Sequence, residues 1–247
     1  MKPEMYEIHN RVEDTHWWWQ ARRAIVLRLL DAFVEGARPL RVLDIGCGTG
    51  MMINALRRFG DVVGIDPNDA AIAYSRRKIS PPCRVMKGHL PEGLPRGQRF
   101  EIVTALDVLE HIDDDVAALR AIHDEVLHPQ GTLMLTVPAY AFLWSGHDEM
   151  NLHKRRYTVH ELEHKLVRAG FRTRKCSYYN MFLFPAGLAG KFYGKIRYNQ
   201  SPRANFDQVP PQWMNSWLYR IFSSERFLLP HLNFPFGVSI VAIASHG

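Results

Sequence analysis

The sequence contains little cysteine and has no long apolar run. Only three cysteines occur in 247 residues, and no two of them have C-x-x-C spacing. This argues against a disulfide framework and against a zinc knuckle. No run approaches the roughly 18 apolar residues that a membrane-spanning helix requires, and the first nine residues lack the apolar core of a signal peptide. We therefore expect a reducing, cytoplasmic location and no membrane span.

Internal repeats and low-complexity tracts are also missing from the chain. Hydrophobic residues make up 47% of the sequence and charged residues 23%, which is ordinary for a globular protein. A length of 247 residues suits one α/β domain with additional segments. The composition thus predicts a single domain with a substantial core.

The formal net charge is +6, and the basic residues occur in small, dispersed groups. Examples are Arg22-Arg23, Arg57-Arg58 and the run 154–156. We interpret these groups as solvated helix faces. The alternative is attraction to anionic headgroups, phosphorylated compounds or nucleic acid. Nucleic acid is the less favoured partner because the basic residues are scattered and no RNA-binding module is attached.

Strands and helices alternate along most of the chain, a pattern typical of a mostly parallel sheet with helices on both faces. Predicted helices cover 15–36, 51–59, 68–79, 114–126, 158–170 and 212–228. The helix at 158–170 has a capping box formed by Thr158 and Glu161. The predicted strands, seven in all, are 41–45, 62–65, 84–86, 100–106, 132–137, 171–178 and 237–244.

A glycine-rich turn follows the first predicted strand. Gly46, Gly48 and Gly50 occupy alternate positions in the segment from Asp44 to Gly50. Glycines allow a sharp turn and close approach of a ligand to the backbone, and the helix that follows attracts a carboxylate or phosphate with its N-terminal N–H groups. The dinucleotide fingerprint G-x-G-x-x-G requires glycine at 51, where this chain has Met51.

The second predicted strand ends in an acid, Asp66, which lies twenty residues after Gly46. An acid at this strand end can accept hydrogen bonds from both hydroxyls of a ribose. The pair of features predicts a site for a nucleoside with free 2′ and 3′ hydroxyls.

Four motifs in order resemble the class I methyltransferases that use S-adenosylmethionine (SAM). They are the segments 44–50, 64–67, 100–111 and 128–133. The Trp-rich start, the stretch Trp144–Asp148 and the closing Phe234–Ser239 also resemble a bacterial branch of small-molecule methyltransferases. The resemblance implies a Rossmann-like α/β sandwich with a mostly parallel seven-stranded sheet. It divides the chain into an N-terminal helical cap (1–37), a SAM-binding core (38–178), a helical insertion (179–235) and the last strand (236–247).

The resemblance implies SAM as cofactor and S-adenosylhomocysteine (SAH) as product. Asp44 and the glycine turn would hold the methionine moiety, and Asp66 the ribose. The acid that commonly follows the third strand is missing, so His89 or Leu90 would contact the adenine. The implied cofactor-binding residues are Asp44, Gly46, Cys47, Gly48, Gly50, Asp66, Pro67, His89, Leu90 and Asp107.

Two polar clusters could assist methyl transfer to an acceptor that carries a proton. One contains Asp107, Glu110 and His111; it resembles ubiquinone-pathway O-methyltransferases, in which acids here can hold a divalent metal. We assign no metal ligand, because acids also commonly cap helices. The other follows the fifth strand, and its arginines Arg155 and Arg156 could bind an anion. The predicted catalytic residues are His111, His147, His153 and Asp148.

Aromatic residues mark two further segments. Trp17–Trp19 could cover the cofactor, although at least one of these side chains is expected in the core. Met181–Phe184, Leu188, Phe192 and Tyr193 could line an apolar acceptor tunnel or touch a membrane surface, with Lys191, Lys195 and Arg197 nearby. The alternative is an ordinary core helix.

The leading prediction is a SAM-dependent methyltransferase that acts on an O, N or C nucleophile of a small, apolar or lipid-like acceptor. An RNA or protein methyltransferase is a second interpretation. A SAM-binding partner subunit without catalysis is a third.

Overall fold

The computed structural model describes residues 3–189 and 208–247. These residues form a seven-stranded sheet in the order β3-β2-β1-β4-β5-β7-β6. Only β7 runs antiparallel to its neighbours, so the mostly parallel sheet and the Rossmann-like fold class are confirmed. The strands are β1 (Leu40–Ile45), β2 (Gly60–Asp66), β3 (Arg84–Lys87), β4 (Phe100–Leu106), β5 (Leu127–Pro138), β6 (Phe171–Tyr179) and β7 (Ser239–His246).

Both faces of the sheet are buried, which explains why its central strands read as continuous apolar runs. Successive side chains of a strand point to opposite faces. Val42 and Leu43 of β1 are accordingly both inaccessible to solvent. Leu43 belongs to one core cluster and Val42 to the other. The sheet thus separates two cores.

The helices that cover the sheet lie close to their predicted positions. The capping box of Thr158 and Glu161 is present at the start of its helix. The helix predicted over 51–59 is shorter, because it ends at Leu56 before a turn. The helices that lie wholly within the described residues are α1 (Pro3–Val12), α2 (Trp17–Phe33), α3 (Met51–Leu56), α4 (Asp69–Lys78), α5 (Asp115–Ala121), α6 (Gly146–Asn151), α7 (Val159–Arg168) and α8 (Gln212–Leu228).

Helix α1 was not expected from the polar composition of the N-terminus. It buries Met5, Tyr6 and Val12, which recur on one side of a helix. Helix α2 packs on α8, and the N–H of Trp17 donates to Asn215 at 2.8 Å. The N-terminal cap and the described end of the insertion therefore support each other.

The insertion is anchored by a buried acid on α8. Glu225 accepts hydrogen bonds from the backbone N–H groups of Asn180, Met181 and Phe182 at 2.6 to 2.9 Å. Within the described residues, none of the helices combines the length and apolarity needed to cross a bilayer. Five residues of the predicted tunnel or membrane segment lie outside the described residues: Lys191, Phe192, Tyr193, Lys195 and Arg197.

The strand order reverses between β1 and β4. Connections leave these two strands toward opposite sides, which opens a crevice at their carboxyl ends. The glycine turn after β1 and the segment after β4 both begin at this crevice.

Candidate active site

A cavity of about 770 Å³ occupies the crevice, a size typical of small-molecule sites. One end is built by the turns after β1, β2 and β4. The N-terminal helices form a second wall, and the segment after β5 forms the far end. The described residues that line the cavity include Tyr6, His9, Trp18, Trp19, Arg22, Asp44, Gly46, Cys47, Gly48, Asp66, Pro67, His89, Leu90, Asp107, Glu110, His111, Leu143, His147, His153, Arg156, Phe184 and Leu188.

The glycine turn has the backbone that the sequence predicts. Gly46 has φ +67° and Gly48 has φ +54°, values that favour glycine. A Cβ on Gly46 would lie 2.5 Å from the side chain of Val108, whereas a Cβ on Gly48 would enter open space. The turn is therefore tight on one side and leaves room for a ligand on the other.

Asp66 lies beside the turn, at the end of β2. Its two carboxylate oxygens accept from the N–H of Gly48 at 3.0 Å and from the N–H of Asn68 at 2.9 Å. A carboxylate has about four acceptor positions, so acceptor capacity remains for a ribose diol. Asp66 is 4% exposed and lines the cavity. These features fit the nucleoside of SAM.

Asp44 lies deeper at the end of the cavity that contains the glycine turn and Asp66. It is 2% exposed and accepts a hydrogen bond from Thr104 at 2.6 Å. Burial raises the pKa of Asp44 to about 6, despite the opposing hydrogen bond from Thr104. A nearby cation would favour the ionised form, so the ammonium group of SAM or SAH suits this position.

We expect SAH to bind about tenfold more weakly at pH 5 than at pH 7, because Asp44 becomes protonated as the pH falls through 6. Calorimetric titration at the two pH values measures this change. An Asp44→Asn variant should bind weakly at both, since its side chain cannot ionise. An unchanged wild-type affinity would remove Asp44 from contact with the ammonium group.

The other residues predicted to bind the cofactor differ in their position relative to the cavity. Cys47, Pro67, His89 and Leu90 line the cavity, and their contacts with a cofactor stay predictions. Gly50 does not line it: its N–H donates to Cys47 O at 3.0 Å, and a Cβ there would meet Ser75. A direct role for Gly50 therefore lacks support, because this glycine shapes the turn and lets α4 approach.

The N-terminal cap supplies wall residues that the sequence analysis missed. Tyr6 and His9 of α1 and Arg22 of α2 line the cavity. The sequence could have indicated Tyr6 and His9, because residues three positions apart lie on one face of a helix. Trp18 and Trp19 also line it, whereas Trp17 packs on Phe222 at a ring distance of 6.0 Å.

Arg22 is buried, so its interpretation as part of a solvated face is wrong. Its Nη2 lies 2.7 Å from Asp107 Oδ2 and 2.8 Å from Thr136 Oγ1. Asp107 has φ +58° and also accepts from Thr136 at 3.0 Å. The cofactor contact predicted for Asp107 would therefore be made by a carboxylate that is already paired with Arg22.

The far end of the cavity is apolar except for a histidine corner, which is formed by His111, His147 and His153. Leu143, Phe184 and Leu188 provide apolar wall. Burial lowers the pKa of both His111 and His147 to about 4, and the neighbouring His153 acts in the same direction. The side chains of both residues are therefore uncharged near neutral pH.

Asp148 lies behind this corner, not in the cavity wall. It accepts from Arg156 at 2.8 and 2.9 Å and from His153 Nδ1 at 2.9 Å. Burial opposes ionisation, but the hydrogen bonds from His153 and Arg156 hold the pKa of Asp148 well below its usual range. Direct contact of Asp148 with an acceptor is thus not supported; the residue positions His153.

Neither arginine predicted to bind an anion is available. Arg156 is committed to Asp148, and Arg155 pairs with Asp115 at 3.0 Å. Burial of these partners explains the arrangement, because a buried carboxylate requires a paired charge.

Glu110 is a buried acid at the histidine corner. It is fully inaccessible, and neither of its carboxylate oxygens has a hydrogen-bond partner among the described residues. Burial and, secondly, Asp107 raise the pKa of Glu110 well above its usual range. One donor atom each of Glu110, His111 and His153 lie within 4.8 Å of one another, close enough to share a cation. The sequence analysis assigned no metal ligand among them.

Comparison with known proteins identifies the family. A methyltransferase-domain family model matches residues 17–175. The ubiquinone biosynthesis O-methyltransferase of Azorhizobium caulinodans is 32% identical over 169 residues, which cover 60% of this chain and 66% of that protein. The chain covers between 39% and 66% of the length of the first relatives it matches.

Solved structures agree with the fold. The plantazolicin methyltransferase BpumL, solved with SAH, covers 100% of this chain and 91% of its own at 13% identity and a TM-score of 0.61. A SAM-dependent methyltransferase from Mesorhizobium loti covers 94% and 99%, at 15% identity and a TM-score of 0.58. The chain belongs to the class I SAM-dependent methyltransferase family.

Proposed function

We propose that the protein transfers the methyl group of SAM to a small-molecule acceptor bound at the apolar end of the cavity. One observation carries the proposal: a single cavity joins a nucleoside end, formed by the glycine turn and Asp66, to an apolar end with the histidine corner. The relative from Azorhizobium is named for O-methylation in ubiquinone biosynthesis, which supports a small-molecule acceptor here.

The chain's own residues would bind and position the reactants. When bound, SAM supplies an electrophilic methyl group on a positively charged sulfur. Asp44 and Asp66 would orient its two polar ends. Trp18 and Trp19 would exclude water from one side, and Phe184 and Leu188 would hold the acceptor. Positioning and exclusion of water account for much of the acceleration of such a displacement.

Calorimetry with SAH, SAM and NAD tests the cofactor assignment. We expect binding of SAH and SAM and none of NAD. Incubation with SAM and a panel of phenols, amines and carbon acids then tests transfer, with SAH formation as the readout. Preference for NAD would overturn the proposal. Binding of SAM without turnover on any small molecule would favour the partner-subunit interpretation.

We further propose peripheral contact of α8 with a membrane surface, which would deliver an apolar acceptor. Trp213 and Trp217 are 69% and 61% exposed, and Phe227 is 60% exposed. The one acid of this helix, Glu225, is buried, whereas Arg220 lies on the exposed side. Exposed tryptophan beside a basic residue is typical of an interfacial helix.

We expect the protein to sediment with vesicles that contain phosphatidylglycerol, and a Trp213→Ser/Trp217→Ser variant to bind them about tenfold less, because it buries less apolar surface. Val167→Ser is the matched control: Val167 is 64% exposed but lies on α7. Equal sedimentation of the double variant and the wild type would refute contact through α8.

A further inference from the structure

We propose that Glu225 is a positioning residue for the acceptor: through the backbone of residues 180–182 it holds Phe184 as a wall of the apolar end of the cavity. The inference rests on the proposed methyl transfer. It names a residue that sets the affinity for the apolar body of the acceptor without touching either the acceptor or the cofactor.

Glu225 lies on the buried side of α8 and is completely inaccessible to solvent. Its Oε2 accepts a hydrogen bond from the N–H of Asn180 at 2.6 Å, and its Oε1 accepts from the N–H groups of Met181 and Phe182 at 2.7 and 2.9 Å. Burial raises the pKa of Glu225, and these three hydrogen bonds oppose the rise. The backbone donors thus replace the water that a buried carboxylate has lost.

The segment 180–188 depends on Glu225 for its polar attachment. In the part of the chain that the structure describes, each hydrogen bond that joins this segment to another element ends on Glu225. The other described backbone hydrogen bonds of the segment join residues within it. Asn180 has φ +59°, so the chain turns sharply away from β6 where the segment begins. Loss of the carboxylate would therefore leave the segment held by apolar contacts.

Phe184 brings this segment into the cavity. Its ring lies 5.4 Å from the ring of Phe236 and 6.2 Å from the ring of Tyr140. Leu188 follows four residues later, on the same side of a helical turn, and both Phe184 and Leu188 line the cavity. An aromatic wall that is already fixed binds an apolar ligand more tightly than a mobile one, because less freedom is lost on binding.

The wall is remote from the nucleoside end of the cavity. The segment 180–188 follows β6, at one edge of the sheet, whereas Asp66 ends β2, which lies five strands away in the sheet order. Neighbouring strands are about 4.8 Å apart, so the ends of these two strands are separated by about 24 Å. A change at Glu225 should therefore alter acceptor affinity and leave SAH affinity unaltered.

Hydrogen exchange of the SAH-loaded protein, followed by mass spectrometry, tests the attachment. We expect Glu225→Gln to raise the exchange rate of the amides in 180–188 about tenfold, because hydrogen bonds to a charged group are lost. Exchange in the glycine turn should not change. Ser224→Ala is the matched control, since Ser224 is exposed and donates to Ile221 O of its own helix at 2.7 Å. Unchanged exchange of 180–188 in Glu225→Gln would overturn the proposal.

Equilibrium dialysis of the SAH-loaded protein with 2-naphthol and with phenol tests the role of the wall. The wild type should bind 2-naphthol more tightly, because the larger compound covers more apolar surface. Glu225→Gln and Phe184→Ala should each weaken 2-naphthol binding about tenfold, and phenol binding less. The double variant should bind 2-naphthol about as weakly as the weaker single variant, since Glu225 acts through Phe184. Phe184 is only partly buried, so Phe184→Ala is expected to fold.

Three results would overturn the inference while SAH still binds to the wild type. Effects that multiply in the double variant would mean that Glu225 and Phe184 act independently. Equal weakening of SAH and 2-naphthol binding in Glu225→Gln would indicate a general loss of structure. Failure of the wild type to bind 2-naphthol would remove the apolar wall from acceptor binding. Absence of SAH binding by the wild type would instead overturn the proposed function itself.

Discussion

Replacing Arg22 with methionine is expected to lower the free energy of unfolding by about 3–5 kcal/mol, the usual cost of removing one partner of a buried ion pair. Arg22 is 4% exposed and lies 2.7 Å from Asp107. Without it, the Asp107 carboxylate, whose side chain is 26% exposed, has no cation beside it in the cavity wall. Since a domain of this size loses roughly 2–4 °C per kcal/mol, thermal unfolding measured by circular dichroism should show the change clearly.

Two companion variants test the cause of that loss. Arg23→Gln changes the adjacent residue, which is more exposed and has no described ion pair, so its effect should stay within about 0.5 kcal/mol. Asp107→Asn combined with Arg22→Met should be less destabilised than the sum of the single changes, because neither charge is then left alone. Additive effects would show that Arg22 contributes through packing and not through Asp107.

The strands and turns of the sheet could be predicted from the sequence because each of them depends on residues that are close together along the chain. The strand β4 reads as an apolar run, and the turn after β1 contains glycines where positive φ is needed. Even the capping box at Thr158 depends on residues three positions apart. Each of these features is set by a few neighbouring residues, so the order of elements along the chain and the family resemblance could be predicted from the sequence.

The pairing of charges inside the fold could not be read in the same way. Arg22 meets Asp107 across 85 positions of sequence, and the Arg22-Arg23 pair looks like any solvated helix face until α2 is placed on the sheet. The same difficulty affected Arg155 and Arg156, whose neighbours did not reveal which buried carboxylate each would meet. Long-range placement decides the state of these charges.

The histidine corner could be predicted only in part. Its residues were predicted in two polar clusters, His111 after β4 and His147 and His153 after β5, but their roles depend on which side chain reaches the cavity. His153 lines it, whereas Asp148 is completely buried behind it. Residue type and spacing therefore identified the cluster, and only the packing of α6 separates the wall residue from its support.

Replacing Asp66 with alanine is expected to weaken SAH binding roughly 100-fold, because two hydrogen bonds from the ribose hydroxyls to a charged group, each of about 1.5 kcal/mol, would be lost. Calorimetric titration measures the affinity, and circular dichroism checks that the fold persists. Asp69→Ala is the matched control. Asp69 begins α4 just beyond the site, and its exposed side chain pairs with Lys87, so this change should leave SAH affinity unaltered.

A thermodynamic cycle then separates ribose contact from an indirect effect on the glycine turn. Asp66 also accepts the N–H of Gly48, so its loss could distort the turn and weaken any ligand. The wild type should bind 5′-methylthioadenosine more tightly than its 2′-deoxy analogue, and Asp66→Ala should abolish that preference. If the variant binds both compounds more weakly but keeps the preference, Asp66 acts through the backbone of the turn, and the ribose hydroxyl is recognised by another group.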